Sequence, residues 1–279
     1  MSILFNAFIS ISSLFKAPLS RRQKILILWW YLCILVALPF SPLTRQRRIY
    51  CAGFVIEGFD LSTLRFLYEE TFLRQEYNVK LGTTPYCVDA GANIGIATLF
   101  IKWLYPEAQV LAIEPDPATV ELLRKNIERN KLTDVTVFHG AIGDQPGELT
   151  LYVHPTKKGS LKMSTYARKG MTVAVEVPAE RLSTLLHQAG WSQIDLAKID
   201  IEGAEWQVLH DLTQSGWLTK VEQYVIEYHH LMGTHESKFG EFLKAFEETG
   251  YLYQMNTKSL PYNHTPQFQD VLLYLKRSS

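Results

Sequence analysis

The sequence predicts an α/β fold: a mostly parallel sheet with helices on both faces. Three observations predict it. From Tyr86 onward, short β-branched runs alternate with helical stretches. A strand runs directly into a glycine-containing turn and a helix over residues 88–95. Hydrophobic content of 47% and aromatic content of 12% are too high for a disordered chain. With 279 residues, the chain fits one large domain better than two.

Taken in order, the body opens with a short strand at Phe54–Glu57 and an amphipathic helix after Asp60, a residue type suited to an N-cap. Tyr86–Ala90 reads as a strand and Ile94–Leu104 as a helix. Gln109–Glu114 is the next strand, and Pro117–Asn130 a helix with proline in its first turn. Val135–His139 and Ile194–Ile201 are strands, the latter followed by a helix through Leu212. Val221–Glu227 is a strand, Lys238–Thr249 a helix, and Tyr251–Met255 and Asp270–Lys276 close the chain. Asp144–Arg181 breaks the alternation with scattered Gly and Pro and two strand-like runs, Leu149–Val153 and Thr172–Val177. It reads as a β-excursion beside the main sheet.

Residues 1–50 read as a separate extension, and 51–279 as the domain. The formal net charge of zero hides a split. Residues 1–56 carry Lys16, Arg21, Arg22, Lys24, Arg45, Arg47 and Arg48 and no acid, so the remainder is acidic by the same margin. An acidic body argues against a nucleic-acid binder, which needs cations for phosphates. Residues 25–38 are unbroken apolar or aromatic, yet as a helix they span about 21 Å against a hydrocarbon core of roughly 30 Å. Basic flanks on both sides suit a helix lying in a membrane interface, and a helix packed on the domain is the alternative. Cys33, Cys51 and Cys87 form neither a disulfide framework nor a zinc spacing, which points to a reducing, cytoplasmic compartment.

The segment Val88-Asp89-Ala90-Gly91-Ala92-Asn93-Ile94-Gly95 joins strand to helix. Gly91 allows a sharp turn with room for a ligand, and the helix N-terminus offers N–H groups to a carboxylate. Glu114 ends the next strand, where a carboxylate can accept both hydroxyls of a ribose. Dinucleotide sites carry three spaced glycines, whereas position 93 here is Asn and no Walker lysine follows. An adenosine ligand with an amino-acid tail therefore fits better than one with a pyrophosphate.

Together, VDAGANIG, AIEPDP, HGAIGD and KIDIEGAEWQVL, with GFDLSTL before them and QYVIEYHH after, resemble the FkbM family of S-adenosylmethionine-dependent methyltransferases over roughly residues 54–275. The resemblance implies a Rossmann-like class I methyltransferase with a seven-stranded sheet whose last strand is antiparallel. It implies S-adenosyl-L-methionine as cofactor. Asp89, Gly91, Asn93 and Gly95 would hold the methionine part, Glu114 the ribose, and Ala141 and Ile142 would line the adenine. It also implies O-methylation of a sugar, glycan, lipid-linked saccharide or polyketide-like metabolite.

For the chemistry, Lys198, Asp200 and Glu202 alternate with Ile199 and Ile201 at a strand end, where open α/β sheets bind ligands. Asp200 and Glu202 are the acids best placed to remove a hydroxyl proton, with Glu227 and His229 on the next strand as alternatives. Glu227, His229 and His230 also have donor types for a divalent metal. Adjacent histidines on a strand point to opposite faces, and no metal ligand is assigned. Tyr152, Tyr166, Trp191, Trp206 and Tyr228 are candidate aromatic walls for a sugar. Two rival readings are an NAD-dependent enzyme and an inactive, membrane-docked adapter. The expected acceptor is a small molecule or glycan, with residues 1–50 touching the inner face of a membrane.

Overall fold

The computed structural model describes residues 10–41, 47–155, 172–230, 238–257 and 269–278. Seven strands form the central sheet: β3 (Tyr86–Ala90), β4 (Gln109–Glu114), β5 (Val135–His139), β9 (Ile194–Ile199), β10 (Val221–His230), β11 (Tyr251–Thr257) and β12 (Gln269–Arg277). Their order is β11-β12-β10-β9-β3-β4-β5. Strands β10, β9, β3, β4 and β5 pair in parallel, while β12 runs antiparallel to both β10 and β11. The chain winds outward from β3 through β4 and β5, then returns to β9 on the other side. The order therefore reverses between β3 and β9, the point where open sheets leave a crevice at their carboxyl edge.

Helices cover both faces, as expected. One core lies under α1 (Arg21–Ala37), α2 (Leu61–Tyr68) and α3 (Ile96–Leu104), with Leu122 of α4 (Pro117–Arg129). The other lies under α5 (Leu182–Gln188), α6 (Glu205–Gln214) and α7 (Phe239–Glu248). Asp60 caps α2 by accepting from the Thr63 N–H. The excursion is a small sheet of β6 (Ala141–Gly143), β8 (Val173–Arg181) and β7 (Gly147–Val153), in that order. Its middle, including Tyr166, lies outside the described residues, as does Arg45.

Two element boundaries beside the site differ from the sequence reading, and one helix was missed. The helix expected at Ile94 begins at Ile96, because Asn93 (φ 51°) and Gly95 (φ 91°) are left-handed. The strand expected to reach Ile201 ends at Ile199, because Glu202 (φ 55°) and Gly203 (φ 108°) turn the chain. The short helix α5 was not anticipated; no side chain caps it.

The extension and the domain share one core. Strand β1 (Arg48–Cys51) pairs with β2 (Phe54–Glu57) across the turn at Ala52 and Gly53, so a boundary at residue 50 falls inside a hairpin. Ser20 and Gln23 form a capping box that starts α1. Ile27, Tyr31 and Ile34, at i, i+4 and i+7, then point into the body. Each contributes about 1.5–3 kcal/mol on full burial. The Tyr31 hydroxyl donates to Glu69 Oε1 at 2.5 Å, and the Tyr68 hydroxyl donates to the Ile27 carbonyl at 2.8 Å. One side of α1 is thus buried against the body.

Candidate active site

The glycine turn is built by the chain itself. Gly91 and Ala92 donate N–H to the Ile113 carbonyl, at 3.0 and 2.9 Å. Asn93 donates to Glu114 Oε2 at 2.9 Å, Ile94 to the Asn93 side chain at 2.8 Å, and Gly95 to the Ala92 carbonyl at 2.9 Å. These five N–H groups are engaged internally. Gly91 is required for a related reason. A Cβ there would lie 1.8 Å from the Asp200 carbonyl oxygen, so the room it leaves is filled by the neighbouring loop. A Cβ on Gly95 would meet Leu123 at 2.6 Å. Asn126, fully buried on α4, donates to the Ile94 and Glu57 carbonyls and ties the turn to β2.

Asp89 anchors this turn from behind. It is fully buried, accepts from Thr98 Oγ1 at 2.6 Å and lies 3.2 Å from Lys198 Nζ. Lys198 is the organiser that the sequence reading weighed least. Its ammonium donates to the Gly91 and Ala90 carbonyls at 2.6 and 3.1 Å and lies 3.8 Å from Asp200. Burial opposes its charge, but Asp89 and Asp200 outweigh burial and hold the lysine above its ordinary range. Lys198 thereby joins β9 to β3 across the switch point. Its ammonium also stands 5.7 Å over the buried ring of Tyr77, a residue with no sequence signal.

Glu114 lies beside the turn and is buried. Its oxygens accept from the Asn93 and Asp116 N–H groups at 2.9 and 3.0 Å. Burial pushes its carboxyl up to about 7, against the pull of those two bonds. His139 faces it in register on β5, with a buried Nε2 that has no hydrogen-bond partner among the described residues. Ala141 and Ile142 follow, both buried. An unsatisfied nitrogen, a twofold acceptor and an apolar wall at one sheet edge fit the hydroxyls and base of an adenosine.

The three candidate catalytic residues come together. Asp200 and Glu202 sit in the loop after β9, with side chains 29% and 26% exposed, and each places a carboxylate oxygen 3.8 Å from His229 Nε2. Both acids lie just past the end of β9, beside His229 of β10. His229 is buried, and its Nδ1 lies 2.7 Å from Oε1 of Glu205, which is buried in the first turn of α6. Burial disfavours the imidazolium, but Glu205, then Glu202 and Asp200, raise His229 to about 10. Burial likewise opposes the Glu205 charge, and His229 reverses that, holding the carboxyl below its usual range. His230 lies apart from this group, 5.9 Å from the Phe239 ring by centroid. Of the candidate aromatic walls, Tyr228 and Trp206 pack on Phe242, and Trp191 packs on Tyr86.

Residues 89–253 match the family model described as the methyltransferase FkbM domain. Among curated proteins, the chain is 32% identical over 182 residues to Methyltransferase sdnD of Sordaria araneosa, covering 55% of this chain and 70% of that one. It is 28% identical over 211 residues to 31-O-demethyl-FK506 methyltransferase FkbM of Streptomyces tacrolimicus, covering 65% and 80%. It is 28% identical over 159 residues to 2-O-methyltransferase NoeI of Sinorhizobium fredii (strain NBRC 101917 / NGR234), covering 52% and 63%.

Proposed function

The chain belongs to the FkbM methyltransferase family, and from that premise we propose that it methylates a hydroxyl oxygen of a small molecule or glycan, using S-adenosyl-L-methionine. The observation that carries the reading is the convergence of Asp200, Glu202 and His229 beside the switch point. The names of two relatives record O-methylation, which supports oxygen as the acceptor atom. When bound, S-adenosylmethionine supplies a methyl group on a positively charged sulfur. Glu114 is assigned to the ribose hydroxyls, His139 with Ala141 and Ile142 to the adenine side, and the Gly91–Gly95 turn to the methionine side. Asp89 acts through Lys198 and Thr98 by fixing that turn.

Asp200 or Glu202 takes the acceptor's proton: the O–H bond breaks, its electrons stay on oxygen and that one carboxylate is protonated. His229, held at Nδ1 by Glu205, presents Nε2 to both acids and positions them, and it is the alternative base. The test is transfer from methyl-labelled S-adenosylmethionine to a panel of hydroxylated acceptors, read by mass spectrometry. Asp200→Asn and Glu202→Gln should each lower turnover at least about tenfold, within the range of general-base effects. Label found on nitrogen or carbon would contradict the oxygen assignment.

The exposed side of α1 supports docking on an anionic lipid surface, on the inner face of a membrane. Ile25, Trp29, Leu32, Val36 and Phe40 are all more than half exposed along it. Arg21 and Arg22 stand at its head, and Arg47 and Arg48 line the groove beside Trp30. An apolar stripe with a basic rim has the chemistry of an interfacial helix. The three cysteines are unpaired, as suits a reducing compartment. Phosphatidylglycerol vesicles should sediment with the chain, and Trp29→Glu with Leu32→Glu should abolish this. Failure to sediment, or a dimer that the same substitutions dissociate, would contradict lipid docking.

A further inference from the structure

Beyond the acids already assigned, the carboxyl edge of β10 carries a second set of groups. Glu227 and His229 are two residues apart on one strand and so face the same way. The antiparallel β12 places Asp270 directly opposite His229 in register. One ligand atom from each of Glu227, His229 and Asp270 lies within 4.8 Å of the others.

This is more than a patch of surface acid. His229 is only 7% exposed, and its Nδ1 is held by Glu205, itself 3% exposed. A carboxylate behind a histidine is the arrangement that fixes a metal-ligating imidazole and selects which nitrogen ligates, here Nε2. Two ligand atoms sharing one divalent cation at about 2.0–2.6 Å each lie roughly 3–5 Å apart. The observed separations, none above 4.8 Å, stay under the upper end of that range. Asp200 and Glu202 approach Nε2 from the neighbouring loop at 3.8 Å, so the cluster opens toward the acids assigned to the acceptor.

We propose that Glu227, His229 and Asp270 bind one divalent cation, which holds the acceptor hydroxyl. One imidazole and two carboxylates form an oxygen-rich set suited to Mn²⁺ or Mg²⁺. Three protein ligands leave coordination positions for an acceptor oxygen, as catalytic sites do. The cation occupies the place of a proton on Nε2. It lowers the pKa of the bound hydroxyl, whose proton passes to Asp200 or Glu202 while the electron pair stays on oxygen. This deepens the proposed hydroxyl methylation and rests on it.

The test uses the full chain, stripped with EDTA and titrated with Mn²⁺ alone under electron paramagnetic resonance. One Mn²⁺ per chain is expected. Glu227→Gln and Asp270→Asn should each weaken it at least tenfold, and Glu205→Gln about tenfold through its hold on His229. Calorimetry with S-adenosylhomocysteine should give affinities within about twofold of wild type in the Glu227 and Asp270 variants, which also reports that they fold. No Mn²⁺ bound to the wild-type chain would overturn the proposal, as would unchanged affinity in both ligand variants. Mn²⁺ binding without any S-adenosylhomocysteine binding would instead count against the methyltransferase reading.

Discussion

Glu205 Oε1 stands 2.7 Å from His229 Nδ1, joining the first turn of α6 to the end of β10 inside the protein. Both side chains are buried, so each charge depends on the other. Asp200 and Glu202 then meet the far side of the same ring. One histidine therefore relates three carboxylates of the single stretch 200–205.

Breaking this pair should be expensive. Glu205→Ala leaves a buried imidazole without its partner and should lower stability by about 3–5 kcal/mol, the range for an orphaned buried charge. Urea denaturation measures this. A loss below about 1 kcal/mol would show that water replaces the carboxylate and that the pair does not organise the site.

Gly91 and Gly190 offer a controlled comparison. Both have positive φ, at 74° and 72°, but only at Gly91 would a Cβ meet anything within 4 Å, namely the Asp200 carbonyl. Gly190→Ala should cost about 1 kcal/mol for the left-handed backbone. Gly91→Ala should cost at least about 2 kcal/mol more, because β3 and the loop after β9 must separate. Equal losses would mean that the loop yields.

Glu114 links cofactor binding to pH. Its folded pKa, about 7, lies above the ordinary 4.5, so the folded chain holds this proton more tightly than the unfolded chain. The corresponding stability is complete below about 4.5 and is lost as pH rises through 7. Ribose hydroxyls donate best to the ionised form. Affinity for S-adenosylhomocysteine should therefore rise as pH passes upward through 7, and Glu114→Gln should flatten that profile. A profile unchanged by the substitution would remove Glu114 from the ribose.

Tyr31 tests whether the extension is part of the domain. Tyr31→Phe removes its bond to Glu69 and should lower stability by about 1.5–3 kcal/mol, the range for a bond to a charged group. The loss should appear in a single unfolding transition. An unchanged midpoint would make α1 an independent appendage.

Much of the fold was legible because local signals agreed. Val135–His139 was read at its observed limits, and the capping role of Asp60 and the parallel alternation were read correctly. The candidate catalytic residues were legible because Asp200, Glu202 and His229 are charged or polar groups at strand ends. What was not legible depends on register and on backbone folded back on itself. Asp270 reaches His229 only through the antiparallel pairing of β12, which no local pattern encodes. The turn at Gly91 has the expected glycines, yet its space belongs to Asp200, more than a hundred residues away. The extension read as separate because its charge and composition differ, while the contacts of Ile27 with Tyr68 and of Tyr31 with Glu69 span about forty residues, beyond any local pattern.

The most direct measurement is calorimetry of the purified chain with S-adenosylmethionine, S-adenosylhomocysteine and NAD, repeated with Glu114→Ala. The adenosyl ligands should bind, NAD should not, and the substitution should abolish the binding. Binding of NAD alone would contradict the assignment of this site to methyl transfer.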